Sequence, residues 1–198
     1  FQGQLVRSLQ AASRLAQQVA RPGPVSVTTQ LVVGAADETD WEILRLSHTL
    51  YRDLRLARIY YSPFRPIPDT PLEGHTPTPL EREHRLYQAD FLLRSYGFGV
   101  EDLVFDSQGN LPLDRDPKLA WALAHPEHFP VEVNRAGRYL LLRVPGIGPV
   151  AADRILQERR KGVLSDLGHL RQLGVRVDRA APFVLLNGRR PPCQLSLW

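Results

Sequence analysis

Five prolines in fifteen residues divide this chain. Residues 65–79 (RPIPDTPLEGHTPTP) carry prolines at 66, 68, 71, 77 and 79. Each fixes φ and removes a backbone N–H, so neither a helix nor a central strand can run through the segment. An extended crossing loop is expected there, and the residues on either side must find regular structure of their own. Ahead of the loop, Leu5, Leu9, Ala12, Ala16 and Val19 recur at helical spacing over residues 4–20, and Pro22-Gly23-Pro24 stops that helix. Val25–Val33 (VSVTTQLVV) is β-branched and ends in an apolar run, the pattern of a strand buried on both faces. After a turn at Gly34–Asp37, a helix from Glu38 to Leu54 is expected to set Ile43, Leu46, Leu50 and Leu54 on one face. Ala57–Phe64 (ARIYYSPF) reads as a second buried strand. This order implies two parallel strands joined by a right-handed crossover, a fragment of an α/β sheet or barrel.

Behind the loop the pattern is helical. A helix from Leu80 to Tyr96 is closed by Gly97, and Asp116 before Pro117 reads as an N-cap with a first-turn proline, opening a helix to Ala124. Asn134 is the expected N-cap of a helix through Arg143. Val144-Pro145-Gly146-Ile147-Gly148 then turns into a second helix from Pro149 to Lys161, a helix-hairpin-helix. Glycine permits the tight turn, brings backbone N–H groups near a ligand, and aims a helix N-terminus at the same point. A degenerate copy comes next, with Leu167, Leu170 and Leu173 before Gly174-Val175 and a helix expected from Arg179-Ala180-Ala181 to Leu186. Residues 131–198 carry twelve basic and five acidic side chains against thirteen and sixteen in residues 1–130, and all but Lys118 and Lys161 of the basic ones are arginine. A basic module on a mildly acidic body is the electrostatic footprint of a polyanion binder.

Val133 through Ala181 resembles the tandem helix-hairpin-helix domain of bacterial DNA-binding proteins, including competence DNA receptors. The resemblance implies sequence-independent phosphate contacts by the amides of Gly146, Ile147, Gly148 and Val150. Val150 stands where lysine is frequent, so the charge must come from Arg143, Arg154, Arg159, Arg160 and Lys161. Further forward, Thr29–Ala35 (TQLVVGA) with Glu38-Thr39-Asp40, Ile59–Phe64 (IYYSPF), Arg82–Asp90 (REHRLYQAD) and Leu119–Leu123 through His125-Pro126 resemble a radical S-adenosylmethionine family assigned to DNA modification or repair. Its members are associated with a uracil-DNA-glycosylase-like partner and end in the same hairpin module. The resemblance implies S-adenosylmethionine and a four-iron cluster on CxxxCxxC in the complete family protein. It places Val33, Gly34, Ala35, Tyr60, Tyr61 and Ser62 near the adenosyl group of a complete barrel. This chain has one cysteine, Cys193, so it resembles the carboxy-terminal portion alone and no cofactor is expected on it. The end, Gln194-Leu195-Ser196-Leu197-Trp198 behind Arg189-Arg190-Pro191-Pro192, resembles the QLSLF peptide that docks on the sliding clamp, with Gln194, Leu195, Leu197 and Trp198 as the contacts.

The expected organisation is therefore a partial α/β barrel segment (1–64), a proline-rich loop and helical connector (65–130), an all-α tandem helix-hairpin-helix domain (131–188) and a flexible tail (189–198). Its expected role is DNA-backbone binding for a DNA repair or modification protein. The alternative is a protein-interaction adaptor that docks partners through hairpins and tail. No catalytic residue is assigned. Glu81, His84 and Gln88 share a helix face and His125 with His128 falls near a helix end, but neither group is taken as a metal site. The chain opens on no signal segment and contains no run of about 20 apolar residues, so no membrane is expected and a cytoplasmic location is.

Overall fold

The structure, a computed structural model, describes residues 2–18 and 25–192. Among them are eight α-helices and two pairs of short parallel strands, a mixed α/β architecture. No helix among the described residues is long and apolar enough to cross a membrane. The chain separates into two compact units, Phe1–Asp90 with Phe105–Leu113, and Phe91–Val104 with Asp114–Trp198.

The first unit runs α1 (Gln2–Gln18), β1 (Thr28–Val33), α2 (Asp40–Leu54), β2 (Arg58–Pro63), then the proline loop and the start of α3 (Leu80–Ser95). Thr39 caps α2 in a capping box: its hydroxyl accepts from Glu42 N, and the Glu42 carboxylate accepts from Thr39 N. These contacts hold the Glu42 carboxyl below the usual carboxylate range. Ile43, Leu44, Leu50 and Leu54 form the buried face of α2, while Leu46, expected among them, is exposed. β1 and β2 pair in parallel, with Leu31 opposite Tyr61 and Val33 opposite Pro63.

Neither strand is buried on both faces, which corrects the sequence expectation. Side chains alternate across a strand; Val33, Ile59 and Tyr61 are buried, but Val32 and Tyr60 on the other face are 55% and 48% exposed. The Tyr61 hydroxyl lies 3.0 Å from Ser47 on α2 and 3.3 Å from Asp90 on α3. Both helices thus cover one side of the pair. Burial, and then the Asp90 charge, push the Tyr61 hydroxyl pKa up.

In the second unit α4 (Pro117–Ala124) begins as expected, with Asp116 accepting from Leu119 N and proline in the first turn. Next come β3 (Val131–Glu132), α5 (Arg138–Arg143), α6 (Pro149–Glu158), α7 (Leu167–Gln172), α8 (Val177–Ala180) and β4 (Val184–Leu185). The core is built from Leu141, Ile147, Ala152, Ile155, Leu164, Leu170, Ala180 and their neighbours. Burying each large aliphatic side chain contributes roughly 1.5–3 kcal/mol.

Three local expectations are corrected. Asn134 is not the N-cap of α5, which starts at Arg138 behind Gly137; its amide group instead bonds both the N–H and the C=O of Leu164, each at 2.9 Å. α6 ends at Glu158 rather than at Lys161. The last helix starts at Val177, ahead of Arg179, and gives way to a 3-10 turn and then to β4, which pairs in parallel with β3. Glu132 accepts from the N–H groups of Asn187 and Gly188 and fastens the segment after β4.

Candidate nucleic-acid interface

Two turns of similar build lie in the second unit. In the first, between α5 and α6, Gly146 has φ +85° and Ile147 N donates to Val144 O at 3.1 Å. Gly148 is the extended N-cap of α6, and Pro149 opens the helix. The next N–H groups, those of Val150 and Ala151, have no intrahelical acceptor and carry the positive end of the helix dipole. The Val150 side chain beside them is 62% exposed. In the second turn Gly174 has φ +92°, Val175 is buried, Arg176 stands at the N-cap and α8 begins after it. The turns touch: Arg176 N donates to Gly146 O at 2.9 Å. A side chain on Gly146 would meet the Arg176 carbonyl oxygen at 2.4 Å, and one on Gly174 would meet Arg154 Nη1 at 3.4 Å.

The basic residues expected to meet phosphate divide into two groups. Arg154, Arg160 and Lys161 are exposed, Lys161 paired with Glu158 at 3.0 Å. Arg143 is 1% exposed and cannot reach a phosphate, a correction to the sequence reading. Its guanidinium lies 3.6 Å from the Phe98 ring centre, 4.5 Å from that of Tyr139 and 4.9 Å from that of Trp121, and donates to Asp102 at 2.9 Å. Arginine is suited to this place because its flat, weakly hydrated cation stacks on rings. Arg159 is half-buried, its Nη1 donating to the carbonyls of Val133 and Ala136, so it ties α6 to the start of the module. The Ile147 amide, expected to meet phosphate, is already engaged by Val144 O, a correction to the sequence reading. Arg135 and Arg171, which the sequence reading does not select, are exposed and stand clear of any carboxylate among the described residues.

Sequence reasoning also passes over Lys118. It is buried on α4, and its Nζ donates to Ile147 O at 2.5 Å and lies 4.7 Å from the Tyr96 ring centre. Burial pulls its pKa down to about 7, against the opposing pull of Asp116. No motif marks it; only the packing of α4 beneath the turn does.

In the first unit the residues that the resemblance places around an adenosyl group do not converge. Val33 and Tyr61 are in the core, Tyr60 is on the opposite face of the sheet, and Ala35 and Ser62 are half-buried. Of the six, Gly34 alone lines the cavity of about 630 Å³ between residues 34–40, 76–82 and 106–113. That cavity is braced by charge: buried Asp40 accepts from Arg82 Nε at 2.7 Å and from Leu111 N at 2.9 Å, while Arg82 Nη2 donates to Glu38 O at 2.6 Å. With one cysteine in the chain, three thiolates for a four-iron cluster cannot be assembled. The residues present therefore fit neither group, and no chemistry is routed through either.

Gln194, Leu195, Leu197 and Trp198 lie outside the described residues. His84 bonds Gln88 at 2.9 Å within α3. His125 and His128 do come together, with Glu127 between them. Compared with known proteins, the chain matches no family model, no curated protein and no solved structure.

Proposed function

We propose that the second unit is a tandem helix-hairpin-helix module that binds the DNA backbone without regard to base sequence. The observation that carries this reading is the repeated turn. Each copy sets a positive-φ glycine before a buried Ile147 or Val175 and a helix start; Arg154 is exposed in the helix that the Gly146 turn opens, and exposed Arg160 and Lys161 follow that helix's other end. Amides at a helix N-terminus and nearby arginines recognise phosphate and carry no base readout. The module would serve a radical S-adenosylmethionine protein of DNA repair or modification, with a uracil-DNA-glycosylase-like protein and the sliding clamp as partners. In that reading the strand pair of the first unit belongs to a barrel whose other strands lie elsewhere. The adaptor reading has its own support: Val150 in the first turn of α6 and Val163 in the loop that follows the helix are exposed apolar residues. A protein partner would cover them.

Fluorescence anisotropy with short single- and double-stranded DNA of varied sequence separates the two. The DNA reading expects micromolar or tighter binding that falls at least tenfold from 50 to 200 mM salt and varies little with sequence. Val150→Glu puts a carboxylate at the helix N-terminus, where it favours the helix and repels phosphate. Binding should drop about tenfold with thermal stability unchanged. Absence of binding at low salt, or a Val150→Glu chain that binds as the parent does, would overturn the reading.

A further inference from the structure

We propose that His125, Glu127 and His128 form a site for a divalent late transition metal, zinc being the ion tested. The three side chains sit on the tight turn that ends α4, where His125 is the C-cap and Pro126 fixes the backbone of the adjoining 3-10 turn. One ligand atom from each lies within 4.8 Å of the others. His125 Nδ1 is 3.1 Å from Glu127 Oε1, and His128 Nε2 is 3.7 Å from the same oxygen. Bonds of about 2.0–2.1 Å in tetrahedral geometry require neighbouring donors about 3.3 Å apart; the two imidazole–carboxylate distances bracket that value, and the two imidazoles offer donors within 4.8 Å of each other.

A second observation is independent of these distances. Both imidazoles are held by Trp121: the His128 ring stacks on it with centres 5.3 Å apart and planes 13° from parallel, and the His125 ring lies at 4.6 Å and 33°. Trp121 is itself buried, packed edge-on to Phe98 and Phe129. Rings fixed by packing lose little further freedom on ligation, the condition for a preorganised site. The donor set, two imidazoles and one carboxylate, suits zinc, nickel and copper and is a poor match to magnesium or calcium, which take oxygen. Three protein donors leave a fourth position to water. The bound ion would clip the end of α4 to the segment leading into β3.

The test is a competition titration of the full chain against a chromophoric zinc chelator. One equivalent should bind with a Kd near or below about 10 μM, and magnesium and calcium should not compete. Glu127→Gln should weaken binding at least tenfold; Glu127 is exposed and outside the packing, so this variant keeps the fold. His128→Ala should do the same. Nickel or copper should quench the Trp121 share of the fluorescence in the parent chain and not in His128→Ala. No saturable zinc binding below about 100 μM would overturn the proposal. So would binding retained in both variants, which would locate the ion elsewhere, for instance at Cys193.

Discussion

Around Gly146 the chain closes on backbone: the Arg176 carbonyl and the Ala180 N–H lie within contact of any added side chain, and buried Lys118 braces the turn through the Ile147 carbonyl. Around Gly174 the nearest atom is the end of one flexible arginine, Arg154. The first turn leads into a ten-residue helix with its start exposed; the second leads into a four-residue helix that passes into a 3-10 turn and a strand. The two turns thus share a positive-φ glycine and differ in what surrounds it: the first is packed on backbone, and the second lies against an arginine side chain.

The sharpest way to break this comparison is to add one methyl group to each glycine. Both sites carry the left-handed conformation, which costs a non-glycine residue about 1–3 kcal/mol. Only Gly146 adds a backbone collision. Gly146→Ala should lose more than about 3 kcal/mol in urea unfolding and Gly174→Ala about 1–2 kcal/mol. Equal losses would mean the turns are equivalent. A substitution at Gly146 is accordingly unsuited to testing DNA contact, because the fold fails first; Val150 serves instead.

Next in size is a pH effect confined to the first turn. An unfolded lysine keeps its proton to about 10.5, whereas buried Lys118 releases it near 7. Between those values the unfolded chain holds more protons, so stability should rise with pH, by roughly 2 kcal/mol from pH 7 to 9. Lys118→Met should remove that rise. A parent chain whose stability stays flat over the window, relative to the variant, would show that Lys118 retains its charge.

The smallest effect concerns the arginine beside the second turn. If the module binds DNA as proposed, Arg154→Gln should weaken that binding a few-fold and lower the salt slope by about one, the loss of one phosphate contact. Arg159→Gln, whose guanidinium serves carbonyl groups of its own module, should reduce stability instead and leave the slope unchanged.

Legibility in the sequence depends on how local the cause is. Asp116-Pro117 is readable because cap and first turn are neighbours in the chain, and the Gly146 turn because glycine and proline mark it within five residues. Asn134 misleads because its partner, Leu164, is thirty residues away. Arg143 looks like surface charge since nothing adjacent shows the ring cage that Phe98, Trp121 and Tyr139 close around it. The strands look two-sided because Val32 and Tyr60 are apolar and still exposed. β3 and β4 are two residues each and leave no periodicity to detect. Glu127 goes unweighed between two histidines whose closeness depends on a turn and on Trp121.

The pairing of β3 with β4 has a mechanical consequence. The chain passes into the helical part of the module at Val131 and leaves it at Leu185, along neighbouring strands that point the same way. Tension applied between the chain ahead of Val131 and the chain beyond Gly188 would slide the strands past each other rather than unzip them, so every rung and the Glu132 clasp on Asn187 and Gly188 would bear load together. A pull from the tail would be absorbed at this clasp before it reached the turns.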